Sequence, residues 1–72
     1  TRDPLVIKRA VRVALTADNN EQAVAAARLL TEIEPQEADS FRLLAVAYLR
    51  SGEVEQTVQA LDHVIALDPG KA

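Results

Sequence analysis

Apolar residues recur along this chain at the spacing of an α-helix, in which positions three or four residues apart share one face. In the first segment a polar stripe is formed by Lys8, Arg12 and Thr16. The rest of that segment is largely apolar: Val6, Ile7, Ala10, Val11, Val13 and Ala14. No segment alternates apolar and polar residues as a half-buried strand does, and the sequence has no Asn-Gly or Asp-Gly hairpin turn. The pattern predicts an all-α fold of four helices.

Capping residues place the start of the first helix and the turn that follows it. Asp3 is a favourable N-cap, and Pro4 fits the first helical position because its missing N–H needs no partner there. We expect this helix to end near Ala17. Asp18 and Glu21 have the spacing of a capping box, which predicts that Asp18 is the N-cap of the second helix.

Proline and glycine place the remaining helix ends. Pro35 disfavours helical geometry in the residue before it, so the second helix is predicted to end near Glu34. The third helix is predicted over residues 37–50, with Gly52 closing it as a C-terminal glycine. The fourth is predicted over residues 54–67, before the Asp-Pro-Gly sequence of residues 68–70.

The two halves of the chain repeat each other, and the step in sequence from Pro35 to Pro69 is the offset between them. Identical pairs at this repeat offset include Leu15 and Leu49, Glu21 and Glu55, Gln22 and Gln56, Val24 and Val58, and Ala26 and Ala60. A fixed period of this length is typical of stacked helical hairpins. We therefore predict one domain, residues 1–72, made of two repeats at about 4–37 and 38–71.

The second repeat resembles the tetratricopeptide repeat, a motif of two helices with a period of about 34 residues. The residues that stand at the motif's spacings are Phe41, Leu44, Ala45, Tyr48, Gly52, Leu61 and Pro69. The first repeat matches well only at Ala23, Ala27 and Pro35. The resemblance implies two antiparallel helical hairpins stacked as a segment of an α-solenoid.

The spacing of apolar residues on the third helix also predicts which helix faces meet. A small residue at Ala45 allows two helices to approach closely. We expect Leu44 and Tyr48 to be largely buried, and they should pack with Phe41 against the fourth helix through Leu61 and Ile65.

Charge is distributed unevenly between the helices. The net charge is -3 overall, but segments 1–16 and 38–51 carry +3 and +1, whereas segments 17–37 and 52–72 carry -4 and -3. In tetratricopeptide proteins the first helix of each hairpin lines a concave groove, so the resemblance implies a basic groove and an acidic back. The groove residues would be Leu5, Lys8, Arg12, Leu15, Arg42, Leu43, Val46, Leu49 and Arg50.

This groove predicts a protein–protein interaction module, a scaffold or adaptor that binds a protein or peptide segment with acidic and apolar side chains. The alternative is a structural homo-oligomerisation domain, in which the apolar surface of the third helix pairs two copies and no peptide is bound. Binding of nucleic acid or anionic lipid through Arg2, Lys8, Arg9 and Arg12 is disfavoured, because the total charge is acidic and no aromatic residues lie among these cations.

Residues suited to catalysis are scarce. The chain has no cysteine and one histidine, His63, which we expect at the surface. Glu32, Glu34 and Glu37 fit no EF-hand spacing and are predicted to form a solvated acidic turn. We expect no enzymatic activity, no cofactor and no metal. No apolar run approaches the roughly 18 residues of a membrane span, so membrane insertion is not expected.

Composition bears on the origin of the chain. It has many alanines, and arginine exceeds lysine by six to two, a balance typical of bacterial proteins. The compartment, cytoplasm or cell envelope, stays open. Methionine is absent, and two repeats without a polar capping helix leave apolar ends. We therefore expect either a segment of a longer repeat protein or a chain that forms a homodimer through its exposed repeat ends.

Overall fold

The computed structural model describes residues 3–67, and these residues form four α-helices without a strand. The helices are α1 (Pro4–Thr16), α2 (Asn20–Ile33), α3 (Ala38–Arg50) and α4 (Val54–Leu67). The predicted all-α fold is confirmed. The predicted stop after the fourth helix, including Pro69, lies outside the described residues.

The helices repeat with the period found in the sequence. The first and last residues of α3 follow those of α1 at the repeat offset, and the first and last residues of α4 follow those of α2 at the same offset. Within each hairpin the two helices pack against each other, α2 packs against α3, and α1 also meets α3. Residues 4–67 thus form two hairpins of equal length, with α1 and α3 side by side.

The first hairpin turn differs from the prediction. Asp3 caps α1, since its Oδ1 accepts a hydrogen bond from the Leu5 N–H over 3.0 Å, but Asp18 does not cap α2. Asp18 has a φ of 59°, and the N-cap of α2 is Asn19. The Asn19 N–H donates to the Ala14 carbonyl over 2.8 Å. The predicted capping box is therefore wrong, because Asp18 occupies the left-handed position that closes α1.

The second hairpin turn has the same backbone conformation, but glycine occupies its left-handed position. Gly52 has a φ of 79°, and the Glu53 N–H donates to the Tyr48 carbonyl over 2.9 Å. The Gly52 N–H donates to the Leu49 carbonyl over 3.1 Å. Both turns are Schellman motifs, in which two N–H groups satisfy the last carbonyls of a helix. The prediction that Gly52 closes α3 is confirmed.

The core is built mainly from small side chains. Val11 and Leu30 are the largest fully buried apolar residues, and Ala45 is also buried. The other buried alanines are Ala14, Ala23, Ala27, Ala47 and Ala60. Alanine favours helix and allows close approach of helix backbones, so short side chains hold the four helices together.

The predicted contact between α3 and α4 is only partly correct. Leu44 is buried, Tyr48 is half-buried, and Leu61 and Ile65 are 44% and 56% exposed. The buried residues of α4 are instead Thr57 and Ala60. Consecutive helix positions are rotated by about 100°, so a face centred on Ala60 turns Leu61 away from α3. The expected packing through Leu61 and Ile65 is wrong.

Candidate binding groove

A cavity of about 270 Å³ lies between α1 and α3. α1 and α3 border it together because both pack against α2. The residues that line it are Lys8, Arg12, Asp39, Arg42, Leu43 and Val46. Three cations and two apolar side chains therefore share one concave surface, which we call the groove.

The structure brings five of the nine predicted site residues together in this groove and places the other four outside its lining. Leu5 and Leu49 are exposed, whereas Leu15 is half-buried against the core. Arg50 lies where α3 meets the first hairpin turn. The five residues that do line the groove are Lys8, Arg12, Arg42, Leu43 and Val46.

Arg50 connects the two hairpins. Its Nη1 donates to Asp18 Oδ1 over 3.4 Å, and its carbonyl accepts from Asn20 Nδ2 over 3.1 Å. The ion pair is exposed on both sides, and such pairs contribute at most about 1 kcal/mol. The position of Arg50 indicates a contact between hairpins, which its charge alone did not reveal.

The cations of the groove differ in how far they are neutralised. Arg42 Nη1 donates to Asp39 Oδ1 over 2.9 Å, and both side chains are more than half exposed. Lys8 Nζ lies 3.9 Å from Glu34 Oε1, with both side chains about three-quarters buried. Among residues 3–67, Arg12 is in no ion pair. Its guanidinium is therefore the groove's least neutralised charge.

Two acidic residues of this region were missed by the sequence reasoning. Asp39 was not assigned to the groove, although it stands three residues before Arg42 on the same helix face, which is a recognisable pairing signal. Glu34 was assigned to a solvated turn together with Glu32 and Glu37. Those two are exposed, but Glu34 is half-buried and its Oε1 accepts no hydrogen bond. Only the packing of the turn near Lys8 distinguishes Glu34 from its neighbours.

The floor of the groove is apolar. Leu43 is half-buried and packs against the core, and Val46 is 39% exposed. They are three residues apart on α3, so both face the same side of that helix. An apolar side chain of a ligand would contact this floor while its charged neighbours meet the flanking cations.

The acidic residues of α2 and α4 lie on other surfaces. Glu21, Glu32, Glu55 and Asp62 are all exposed, and none of them lines the groove. The basic and acidic helices identified in the sequence therefore present their charges on different sides of the four-helix unit.

His63 lies at the surface, as predicted. Its ring stacks on Phe41 with centroids 4.6 Å apart, and its Nδ1 lies 2.9 Å from the Gln59 carbonyl oxygen. This stack joins α4 to α3 and adds to the half-buried contact between them. Within residues 3–67, no group of histidines and carboxylates is arranged to hold a metal ion.

No helix within the described range has the length and apolar character needed to cross a membrane. No protein-family model, curated protein or solved structure matches this chain. The resemblance to the tetratricopeptide repeat therefore rests on the motif residues and the repeat period.

Proposed function

We propose that this chain is a protein–protein interaction module of the tetratricopeptide type, which binds a peptide segment with acidic and apolar side chains in the groove. The observation that carries the proposal is the convergence of Lys8, Arg12 and Arg42 on one cavity with the apolar floor of Leu43 and Val46. Support for the repeat type comes from the helix bounds, which recur at the same offset in both hairpins.

The chemistry of the groove favours a carboxylate beside an apolar side chain. Arginine can hold a carboxylate with two parallel hydrogen bonds, which orients the ligand as well as attracting it. Arg12 is available for such a contact because it has no ion pair among the described residues. Arg42 can exchange its partner, since an exposed pair such as Arg42–Asp39 has little net stability.

The openness of the groove suits a peptide. Small-molecule sites have volumes of about 300–1,000 Å³ and enclose most of their ligand. The groove, at about 270 Å³, is near the lower end of this range and is open to solvent. It accommodates one or two side chains of an extended or helical segment whose remainder runs along α1 and α3.

Binding through this groove should be modest and sensitive to salt. Exposed charge pairs contribute up to about 1 kcal/mol each, and screening is strong for solvent-exposed charges at physiological ionic strength. These properties suit a scaffold or adaptor that holds its partner reversibly. The composition supports a bacterial source for such a module.

The test is a titration of the chain with a labelled peptide of alternating glutamate and leucine, compared with peptides of lysine and leucine and of glutamate and serine. Only the first peptide supplies both carboxylates and apolar side chains. We expect it to bind more tightly than either control, and more weakly as salt increases from about 50 to about 500 mM.

Charge reversal locates the binding surface. Arg12→Glu combined with Arg42→Glu should weaken binding about tenfold or more, which corresponds to about 1.4 kcal/mol. The matched control reverses two exposed charges on the other side, with Glu55→Arg and Asp62→Arg, and should change affinity far less. If the control abolishes binding and the groove variant does not, the acidic surface is the binding site and the proposal is wrong.

The second candidate is a homo-oligomerisation domain that pairs through α3. The observation that favours it is the exposure of Val46 and Leu49, at 39% and 59%. Such pairing would cover Val46 in the groove, so it excludes peptide binding. A tight dimer in light scattering that dissociates on Leu49→Glu and fails to bind the glutamate–leucine peptide would favour this candidate.

A further inference from the structure

Two exposed apolar faces lie at opposite ends of the four-helix unit. The outer face of α4 carries four exposed apolar side chains at helical spacing: Val54, Val58, Leu61 and Ile65. The outer face of α1 carries Val6, Ala10 and Val13, which are also exposed and border a cavity of about 430 Å³. Each stripe is one continuous side of its helix.

The junction between the hairpins shows what covers faces of this kind. Ser40, Leu44 and Ala47 of α3 are buried, and their counterparts in α1 at the repeat offset are the exposed Val6, Ala10 and Val13. Helix α3 differs from α1 in having a preceding hairpin packed against it. The preceding hairpin, chiefly through α2, is therefore what buries this face.

Helix α2, which packs against α3 in the junction, also differs in burial from its counterpart α4. Ala27 and Leu30 of α2 are fully buried. Their counterparts in α4 are Leu61, which is 44% exposed, and Val64, which is half-buried. Helix α2 has α3 packed against it, whereas no described helix follows α4. Each face is thus the uncovered equivalent of one side of the internal junction.

The side chains at the two ends also match each other in size. Leu61 stands where α2 has Ala27, and Ala10 stands where α3 has Leu44. At these two positions the large and small residues have exchanged sides, so one leucine and one alanine are present in both cases. Exchanges that conserve volume are the ones that packed interfaces tolerate best.

Charge selects the pairing of unlike ends. Of the cations of α1, Arg9 borders this outer face, whereas Lys8 and Arg12 line the groove. Helix α4 carries Glu55 and Asp62 and neither lysine nor arginine. Two α1 faces or two α4 faces would bring like charges together, which is unfavourable. An α4 face against an α1 face brings opposite charges together.

We propose that copies of this chain associate head to tail, with α4 of one copy packed on α1 of the next in the arrangement of the internal α2–α3 junction. This contact joins two different surfaces, so association does not stop at a dimer unless the rotation closes a ring. The proposal concerns the ends of the unit and does not depend on peptide binding in the groove.

The test uses sedimentation velocity on the 72-residue chain and on two variants, each with one end blocked. Leu61→Glu blocks the α4 face, and Val13→Glu blocks the α1 face. Both positions are exposed, so both variants should retain the helical circular-dichroism spectrum of the parent. The parent should form species larger than a dimer as its concentration increases from about 10 μM to about 1 mM, a range that detects weak association.

Each variant alone should stay monomeric, because one of its two ends is blocked. An equimolar mixture should form a dimer and nothing larger, because the free α1 face of one variant meets the free α4 face of the other. A second pair at exposed positions, Val58→Glu and Val6→Glu, should behave in the same way. Leu49→Glu, on neither end, is the control and should associate like the parent.

Several results would overturn the proposal. If the parent chain stays monomeric at about 1 mM, the α4 and α1 faces do not bind each other with a dissociation constant of about 1 mM or lower, and the proposal is wrong. A Val13→Glu variant that still dimerises alone would indicate pairing of two α4 faces. A Leu49→Glu variant that loses association would move the contact to α3.

Discussion

The two hairpins have the same backbone with largely different side chains. Residues 4–33 and 38–67 share helix lengths and turn geometry, although few of their residues are identical at the repeat offset. Their burial differs, since α3 is packed on two sides and α1 leaves one side exposed. Helix bounds therefore follow local sequence, whereas burial depends on whether a neighbouring hairpin is present.

The largest expected effect comes from a side chain at the junction of the hairpins. Leu44→Ala removes a buried leucine and should lower the free energy of unfolding by about 2–5 kcal/mol, enough to unfold much of a domain of this size. Urea denaturation followed by circular dichroism measures this change.

Leu61→Ala is the matched control, because Leu61 is the same residue type on a partly exposed face. Its cost should be about 1 kcal/mol or less. Equal effects of the two substitutions would contradict the difference in burial between the junction and the outer face.

The next effect concerns the turn of the second hairpin. Gly52→Ala should destabilise the chain by about 1–2 kcal/mol, because a side chain is unfavourable at a φ of 79°. A Cβ at this position would meet no atom of other residues within 4 Å, apart from the two chain neighbours, so the cost comes from the local backbone conformation and not from a clash with packed side chains. Thermal unfolding with an unchanged midpoint would show that this turn does not require a left-handed residue.

The smallest effect is the reverse substitution in the first hairpin. Asp18→Gly should increase the free energy of unfolding by less than about 1 kcal/mol, since glycine relieves the strain at a φ of 59° but increases the entropy of the unfolded chain. Loss of the exposed contact with Arg50 reduces the gain further. A decrease in stability would mean that the lost Asp18–Arg50 pair and the added entropy of the unfolded chain together outweigh the strain in the turn.

Features of the fold that depend on local sequence could be predicted, whereas those that depend on contacts between helices could not. The helices, the repeat period and the closing role of Gly52 follow from local patterns, and the structure confirms them. The role of Asp18 was predicted wrongly because aspartate is common at helix N-caps and also tolerates the left-handed conformation. Only the backbone conformation at Asp18 shows that it ends α1 and does not cap α2.

Packing between helices was harder to predict than the helices themselves. Large apolar residues are usually buried, so Leu61 was expected to face α3. The small residues Thr57 and Ala60 pack there instead, because alanine-rich helices approach closely. Five of the predicted groove residues line one cavity because Lys8, Arg12 and the α3 residues lie on neighbouring faces of adjacent helices. The partial burial of Glu34 depends on a tertiary contact that no local pattern contains.

The most direct measurement of the central claim is a map of amide chemical-shift changes when the isotope-labelled chain is titrated with the glutamate–leucine peptide. We expect the changes to concentrate on α1 and α3 around Arg12, Arg42 and Val46, while the exposed acidic positions Glu55 and Asp62 of α4 stay unchanged. Changes concentrated on α2 and α4 would contradict this expectation, and so would a peptide that shifts no resonance at low salt.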